Sequence, residues 1–556
     1  MKKILLTFIV LFLITLPTLL PFFNTKFFYT QDHIFIARIN QLSTALSDGH
    51  FPVRWAPDLR FGEPIFNFYA PLPYYLGAII NFFGVDIIWT SKLLFILSTY
   101  FSAITMYIFS KHLFSKSGAI LATVLYIYAP YRAVDIYVRG AFSEVWAFVF
   151  FPLIFYTSAL LAEKVNLKRM AYLALSLAGL FLTHNVTTLI FLPFLALWWL
   201  YLVLKHKSRT VILPFAGSFV LSLGLSVFFL LPALFERQFI QTKYLLVGYF
   251  DFRAHFVAFY QFFSPIWGYG SSLWGPIDDM SFQIGLAHWA TLVLALILGL
   301  LFRKDQNLLP LFCLLGFSFL LSIFLQHNKS AFVWEAIPLM AFIQFPWRFL
   351  AISIFIISIT GAAIGEIVMR RFKIVYYVSN KLVYFLLIAS VVLINLSYFR
   401  PRNYVDDDFF EKFLNKEKMH QGIDLTKDYF PIWVKNDRVE YFGSPRAVKG
   451  EIAVLNFEKK TASAKGSINV ISDSRIELPI TYFPGWEVKA NRRVLNLSEP
   501  SIQGLITFEL PKGEYQIDLE LKDTPVRIMG NILSIVSLLL LLVLLGHKKF
   551  GYAKSN

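Results

Sequence analysis

The chain has 556 residues, of which 57% are hydrophobic, 18% aromatic and only 15% charged, a composition that excludes an ordinary soluble domain and indicates a membrane protein with many spans. Its formal net charge of +16 does not indicate a nucleic-acid partner, because the basic residues sit in short clusters between apolar runs instead of forming one stripe. A lone cysteine, Cys313, excludes an internal disulfide and a cysteine zinc site, and the absence of P-loop, GxSxG, HExxH and dinucleotide signatures argues against an ATP-driven pump.

The amino terminus, two lysines followed by about twenty apolar residues, reads as an uncleaved anchor that starts in the cytoplasm, since no small-residue cleavage site precedes Asp32. A long polar interruption follows at residues 24–87. Within it Phe35, Ile39, Leu42 and Leu46 recur at helical intervals, which predicts an amphipathic helix over 34–46 with Asp32 at its entrance as an N-cap candidate. Arg54, Asp58, Arg60 and Glu63 then lie among Trp55, Phe61, Phe66, Phe68 and Tyr69, a mixture of charges and rings suited to an amphipathic ligand. Leu72 to Phe83 is apolar but too short to cross, and predicts a second interfacial or re-entrant helix.

Further spans are predicted near residues 88–110, 117–130, 144–162, 170–183, 186–204, 210–232, 284–302, 308–326, 345–368, 379–399 and 527–546, about twelve in all. Alternate loops carry Lys111 and Lys116; Lys164, Lys168 and Arg169; Lys205, Lys207 and Arg209; Arg303 and Lys304; Arg370, Arg371 and Lys373; and Lys548 and Lys549. That alternation places both termini in the cytoplasm and the long polar segments outside a plasma membrane. Among those segments, the stretch 131–144 carries Arg132, Asp135, Arg139 and Glu144 at the mouth of two spans, either as ordinary loop ion pairs or as a second carboxylate with phosphate-holding arginines. Thr183-His184-Asn185 forms a tight turn in which His184 is either a satisfied turn residue or a ligand contact. The segment from Glu236 to Gln283 is too rich in Gly and Pro for one helix and reads as a lid, with Asp251, Arg253 and His255 as contact candidates. Gln344 and Arg348 open a later span, where headgroup snorkelling and phosphate binding are alternatives.

From Arg400 the pattern changes to period two, with strands near Ile452–Phe457, Ser474–Tyr482, Leu505–Leu510 and Tyr515–Leu521 and turns at Pro484-Gly485 and Pro511-Lys512-Gly513. We expect three regions: a transmembrane domain over 1–399, a small extracytoplasmic antiparallel β domain over 400–526 that binds or packs, and an anchor with a cytoplasmic tail over 527–556.

The segments DHIFIARINQL, FPVRWAPDLRFGEPIFNFYAPLPYYLGA, APYRAVDIYVRGAFSE, LTHN, GYFDFRAHF, SPIWGYGSS and QFPWRF resemble the prokaryotic membrane proteins called 6-pyruvoyl-tetrahydropterin synthase-related. YFPGWEVKANRRVLNL with GLITFELPKGEYQIDLEL is similar to the tail of YfhO-like membrane proteins, and the whole arrangement resembles the GT-C superfamily of integral-membrane glycosyltransferases. No zinc-binding histidine trio supports the pterin chemistry of the name. The resemblance implies transfer of a sugar from a polyprenyl phosphate donor to an envelope glycan, lipid or protein acceptor at the outer face. The resemblance implies Asp32 as the base and Asp135 or Glu144 as the second-loop acid, and the residues themselves offer substrate contacts among His33, Arg38, Arg54, Arg60, Glu63, Arg132, Arg139, His184, Asn185, Asp251, Arg253 and Arg348. His33 stands where such enzymes often carry a second acid, and a divalent cation (Mg or Mn) is left open as the phosphate's counter-charge. The alternative is a non-catalytic member that binds, moves or helps assemble envelope lipid or polysaccharide.

Overall fold

The computed structural model describes residues 2–301, 308–370, 380–422, 429–436 and 440–546. The expected basic clusters at Arg303 and Lys304, at Arg371 and Lys373, and at Lys548 and Lys549 lie outside these residues. Among the described residues nine helices are long and apolar enough to cross a bilayer, and the pair Lys116–Ile127 and Pro130–Arg139, bent by 46°, supplies a tenth crossing if taken as one span. The other two expected spans are the helices Leu167–Phe181 and Leu286–Leu301, of 15 and 16 residues, short of the ~20 that a crossing needs. Among the described residues nine to ten helices thus meet the length, against about twelve spans expected.

Local chemistry explains several helix ends. Asp86, Ser115 and Asn166 each accept the N–H of the residue three positions on, which closes the first turns of Ile87–Leu113, Lys116–Ile127 and Leu167–Phe181. In the middle of the bundle Lys116–Ile127 lies against Leu350–Arg370 at backbone contact: a Cβ on Gly118 would stand 2.4 Å from the Ala362 carbonyl oxygen. Small residues at such a crossing replace the hydrophobic drive that lipid cannot supply.

Residues 130–140 form no loop. Pro130–Ala133 is a helical turn, Val134–Arg139 a turn of π-helix, and Gly140 in the left-handed conformation ends it; every one of these side chains is buried. The sequence pattern misleads here because these charges are buried in the protein, where Arg139 pairs with Asp135 and Glu144, instead of facing water. The interfacial pair appears as Ile34–Ser47 and Leu72–Phe82, packed on each other. Ile34–Ser47 has eight buried side chains, so it is a core helix rather than one lying on the lipid. Between Glu236 and Gln283 the chain makes five short 3-10 turns and no long helix, as Gly and Pro dictate.

Two short strands, β1 (Phe27–Phe28) and β2 (Tyr404–Val405), pair antiparallel and stitch the exit of the first span to the start of the polar region. The larger sheet comprises β3 (Arg446–Lys459), β4 (Ser463–Thr481), β5 (Trp486–Ala490), β6 (Arg493–Val494), β7 (Leu505–Leu510) and β8 (Gly513–Leu521), in the order β3-β4-β8-β5-β6 with β7 also on β4. The long β4 is shared: its first half pairs with β8 and its second half with β7. In β8 Ile517, Leu519 and Leu521 are buried while Glu514 and Glu520 face out, the alternation expected of a half-buried strand. Trp55 and Phe68, from the first polar segment, enter this sheet's core; Trp55 meets Trp486 edge-on at 5.7 Å between centroids.

Candidate functional site

Chain entry into the site is fixed by backbone pairing. Gln31 and Asp32 donate their N–H groups to the Val138 and Arg139 carbonyls, both at 2.9 Å, and the Asp32 Oδ1 accepts from the Ile34 N–H at 3.0 Å. Asp32 thus caps the first turn of Ile34–Ser47 from one position outside the formal cap, His33, while remaining on a cavity wall. The cavity encloses about 610 Å³, within the range of small-molecule sites. Asp32, His33, Arg38, Glu63 and Arg139 line it, with Tyr69, Phe345, Trp347, Phe409, Phe413 and Tyr429 as its aromatic walls and Leu245, Tyr249 and Phe250 from the lid segment above.

Burial pushes the Asp32 carboxyl pKa up, opposed by the Arg38 and Arg139 guanidinium groups and the Ile34 N–H. His33 is different: burial lowers it to about 4, so the ring is neutral. Its Nε2 accepts the Thr30 N–H at 3.0 Å, and Phe409, Phe410 and Phe413 surround it. Arg38 is stacked over Tyr69 at 4.1 Å, and Arg139 over Trp347 at 4.5 Å, so both cations are held flat against rings.

The second-loop acids lie behind the wall and not on it. Arg139 Nη1 donates to Asp135, to Glu144 Oε2 at 2.9 Å and to the Tyr131 hydroxyl at 3.3 Å, while Tyr131 donates to Glu144 Oε1 at 2.7 Å. Arg348 lies 3.7 Å from Glu144 and donates to the Ile343 carbonyl. These groups fix Arg139 at the cavity, and the carboxylates are consumed in doing so. Arg132 is buried between Tyr126 and Phe148, away from the lining. Arg54 joins a separate knot with Asn67, Asn531 and Asp523. Arg60, with φ 54, lies over Phe430. His184 bonds Thr187 at 2.6 Å, Asn185 donates to the Phe68 carbonyl, and Asp251 with Arg253 pairs toward the exposed Glu335. None of these lines the cavity.

Lys412, Phe409 and Phe413, on the helix Asp407–Leu414, were invisible as site residues in the sequence. Their only signal was a one-sided apolar face on a short charged segment far along the chain. Gln344, with the uncommon φ of 66, bonds the Leu245 carbonyl at 3.1 Å and ties the lid to the wall. Among the described residues no three His, Cys, Asp or Glu side chains gather to hold a metal ion, and Asp32, Glu63 and a neutral His33 do not make such a set.

Gly140 offers a direct test of this geometry. It has φ +67, and a Cβ there would meet Thr30 Oγ1 at 2.4 Å and the Asp32 carbonyl oxygen at 2.6 Å. Gly140→Ala is expected to cost ~1–3 kcal/mol of stability in strain and to displace Asp32. Thermal unfolding together with a crystallographic or cryo-EM map of the variant measures both, and an unmoved Asp32 would contradict the assignment.

The family model described as "6-pyruvoyl-tetrahydropterin synthase related domain; membrane protein" matches residues 66–401. An uncharacterized protein of Lactococcus lactis subsp. cremoris (strain MG1363) is 30% identical over 239 residues, 41% of this chain and 39% of that protein, so the chain spans well under half of this relative's length. Three solved structures are similar at low identity. The arabinofuranosyltransferase AftD from Mycobacteria is 16% identical over 72% of this chain and 27% of its own, with a TM-score of 0.45. An Archaeoglobus fulgidus oligosaccharyltransferase, in complex with Zn and sulfate, is 14% identical over 73% and 54%, at 0.39. ArnT from Cupriavidus metallidurans, bound to undecaprenyl phosphate, is 11% identical over 74% and 91%, at 0.35. The family match is another matter: it runs through more than half of the 556 residues, and the chain belongs to the 6-pyruvoyl-tetrahydropterin synthase-related family of membrane proteins.

Proposed function

We propose that this protein is a glycosyltransferase of GT-C type that moves a sugar from a polyprenyl phosphate donor to an envelope acceptor at the outer face of the plasma membrane. The observation that carries the reading is the pairing, in one cavity, of the partly desolvated Asp32 carboxyl with the ring-held Arg38 and Arg139 guanidinium groups. A phosphate needs little help to leave once its charge is met, so the reaction asks for one base and a cationic cradle. Asp32 takes the proton of the acceptor hydroxyl; the oxygen attacks the anomeric carbon; the bond from that carbon to the phosphate oxygen breaks, and the polyprenyl phosphate departs toward Arg38 and Arg139. Glu63 accepts from sugar hydroxyls, and the aromatic walls hold the apolar face of the sugar and the first isoprene units.

The test is transfer by purified protein in lipid from a panel of radiolabelled polyprenyl phosphate sugars. Expected is transfer from at least one donor, reduced at least tenfold in Arg139→Gln with KM for the donor raised. A folded wild type that binds polyprenyl phosphate and transfers from no donor would overturn the reading.

A further inference from the structure

A second concavity, of about 610 Å³, lies between the β sheet and the segment Glu499 to Gln503 that leads into β7, with Lys435 beside it, remote in sequence from Asp32. Its floor is built by strand register. Arg446 on β3 and Thr507 on β7 both stand opposite Glu477 on β4, so three polar side chains converge where β4 is flanked on both sides. Glu477 is 1% exposed. Its Oε2 accepts from Arg446 Nε at 2.6 Å, while Oε1 has no partner among the described residues. Arg475 reaches the Glu499 carbonyl at 2.8 Å through Nη2, and its buried Nε is also without a partner. Lys435 adds a third cation at the rim and Gln503 an amide.

A buried carboxylate oxygen without a hydrogen-bond donor is costly, since its desolvation goes uncompensated. The complement of this floor is specific. Glu477 Oε1 asks for a hydroxyl or amine donor, and although Arg446 is paired with Glu477 and Glu499 also lines the concavity, the three cations Arg446, Arg475 and Lys435 outnumber the two acids and leave a positive balance that asks for an anion. An ammonium-bearing ligand such as an amino acid would place its charge among those cations, and the apolar side chains Ala447, Val448, Pro500 and Ile502 are interspersed with charged ones, which suits the mixed polar and apolar faces of a sugar ring more than a lipid chain. A hydroxyl-rich ligand with an attached anionic group satisfies both demands.

We propose that the β sheet carries a binding site for an acidic saccharide, hydroxyls on Glu477 and the anionic group across Arg446, Arg475 and Lys435. The anion is a carboxylate in a uronic sugar or a phosphate in a polyol phosphate, and both present the same chemistry to these side chains. The site does not depend on the reading of the Asp32 cavity.

The experiment is binding by the full-length protein in nanodiscs of uncharged phosphatidylcholine, read by microscale thermophoresis against three probes: a uronate-containing tetrasaccharide, a glycerol phosphate tetramer and neutral maltotetraose. One of the two acidic probes is expected to bind at least tenfold tighter than maltotetraose, and which one does so identifies the anion. Arg446→Gln combined with Lys435→Gln is expected to weaken that binding at least tenfold; because Arg446 is the partner of the buried Glu477, thermal unfolding is measured beside it, and Lys435→Gln alone, at an exposed side chain, is expected to weaken binding severalfold with an unchanged unfolding curve. Arg475→Gln is expected to do the same, and Asp32→Asn to leave it unchanged. Equal binding of all three probes, undiminished binding in the arginine variants, or capture of anionic vesicles in place of either acidic probe would each overturn the proposal.

Discussion

Asp32→Asn is expected to lower sugar transfer by ~10²–10⁴-fold, the usual contribution of a general base, while leaving the folded protein at least as stable at neutral pH. The two halves of this result come from the same cause. Burial raises the Asp32 pKa above its ordinary value, so the folded state holds this proton more tightly than the unfolded chain does. Stability from this group is therefore full below the unfolded pKa of about 3.9 and is lost as pH rises through the folded value. Asn removes the ionisation and keeps an oxygen for the Ile34 N–H. The acid limb of kcat/KM in the wild type should accordingly lie above the ordinary aspartate range. Thermal unfolding and a pH profile measured side by side check both halves. A variant that loses transfer together with its fold would mark Asp32 as structural.

How far the sequence foretold this site differs from residue to residue. Asp32, His33 and Arg38 were legible because an acid, an apolar helical period and an arginine fall within one short run. The strands were legible because side chains such as Ile517 and Leu519 alternate with Asp518 and Glu520. Asp135 and Glu144 were misplaced, since a charged, glycine-bearing stretch between spans looks like a solvated loop until a π-turn buries it around Arg139. Lys412 was missed because nothing local marks a lysine as facing a cavity whose acid and arginines, from Asp32 to Arg139, lie hundreds of positions upstream. The same limit applied to Arg54, whose partners are Asn531 and Asp523 at the far end of the chain.

The largest loss of stability is expected from Arg527→Ala. Arg527, 1% exposed, forks onto Glu236 Oε2 through Nε at 3.0 Å and Nη2 at 2.9 Å, and also donates to the Pro484 and Lys522 carbonyls. Glu236, 2% exposed, further accepts from Asn67 at 2.5 Å and Thr524 at 2.6 Å. One ion pair thus joins the last helix, the end of the helix Ile212–Phe235, the sheet and the first polar segment. Removing the arginine strands a buried carboxylate, which typically costs ~3–5 kcal/mol. The combined change Glu236→Gln with Arg527→Met is expected to cost distinctly less, because no charge is left unmatched. Denaturation followed by tryptophan fluorescence, with Trp55 and Trp486 inside the affected core, measures both variants. An Arg527→Ala protein within ~0.5 kcal/mol of wild type, the range of ordinary surface changes, would show that the knot holds nothing together.

The β1 to β2 pairing joins Phe27–Phe28 to Tyr404–Val405, and the cavity beside it takes walls from Tyr29 through Tyr429. A ribosome adding about 5–20 residues each second needs roughly 20–80 s to travel between those two tyrosines. For that interval the first span sits in the bilayer with Phe27 and Phe28 lacking their strand partner, and Asp32 faces no enclosed space. The cavity is a late product of synthesis, closed only when the helix Asp407–Leu414 arrives, so a half-made or clipped chain inserts into the membrane without an assembled site.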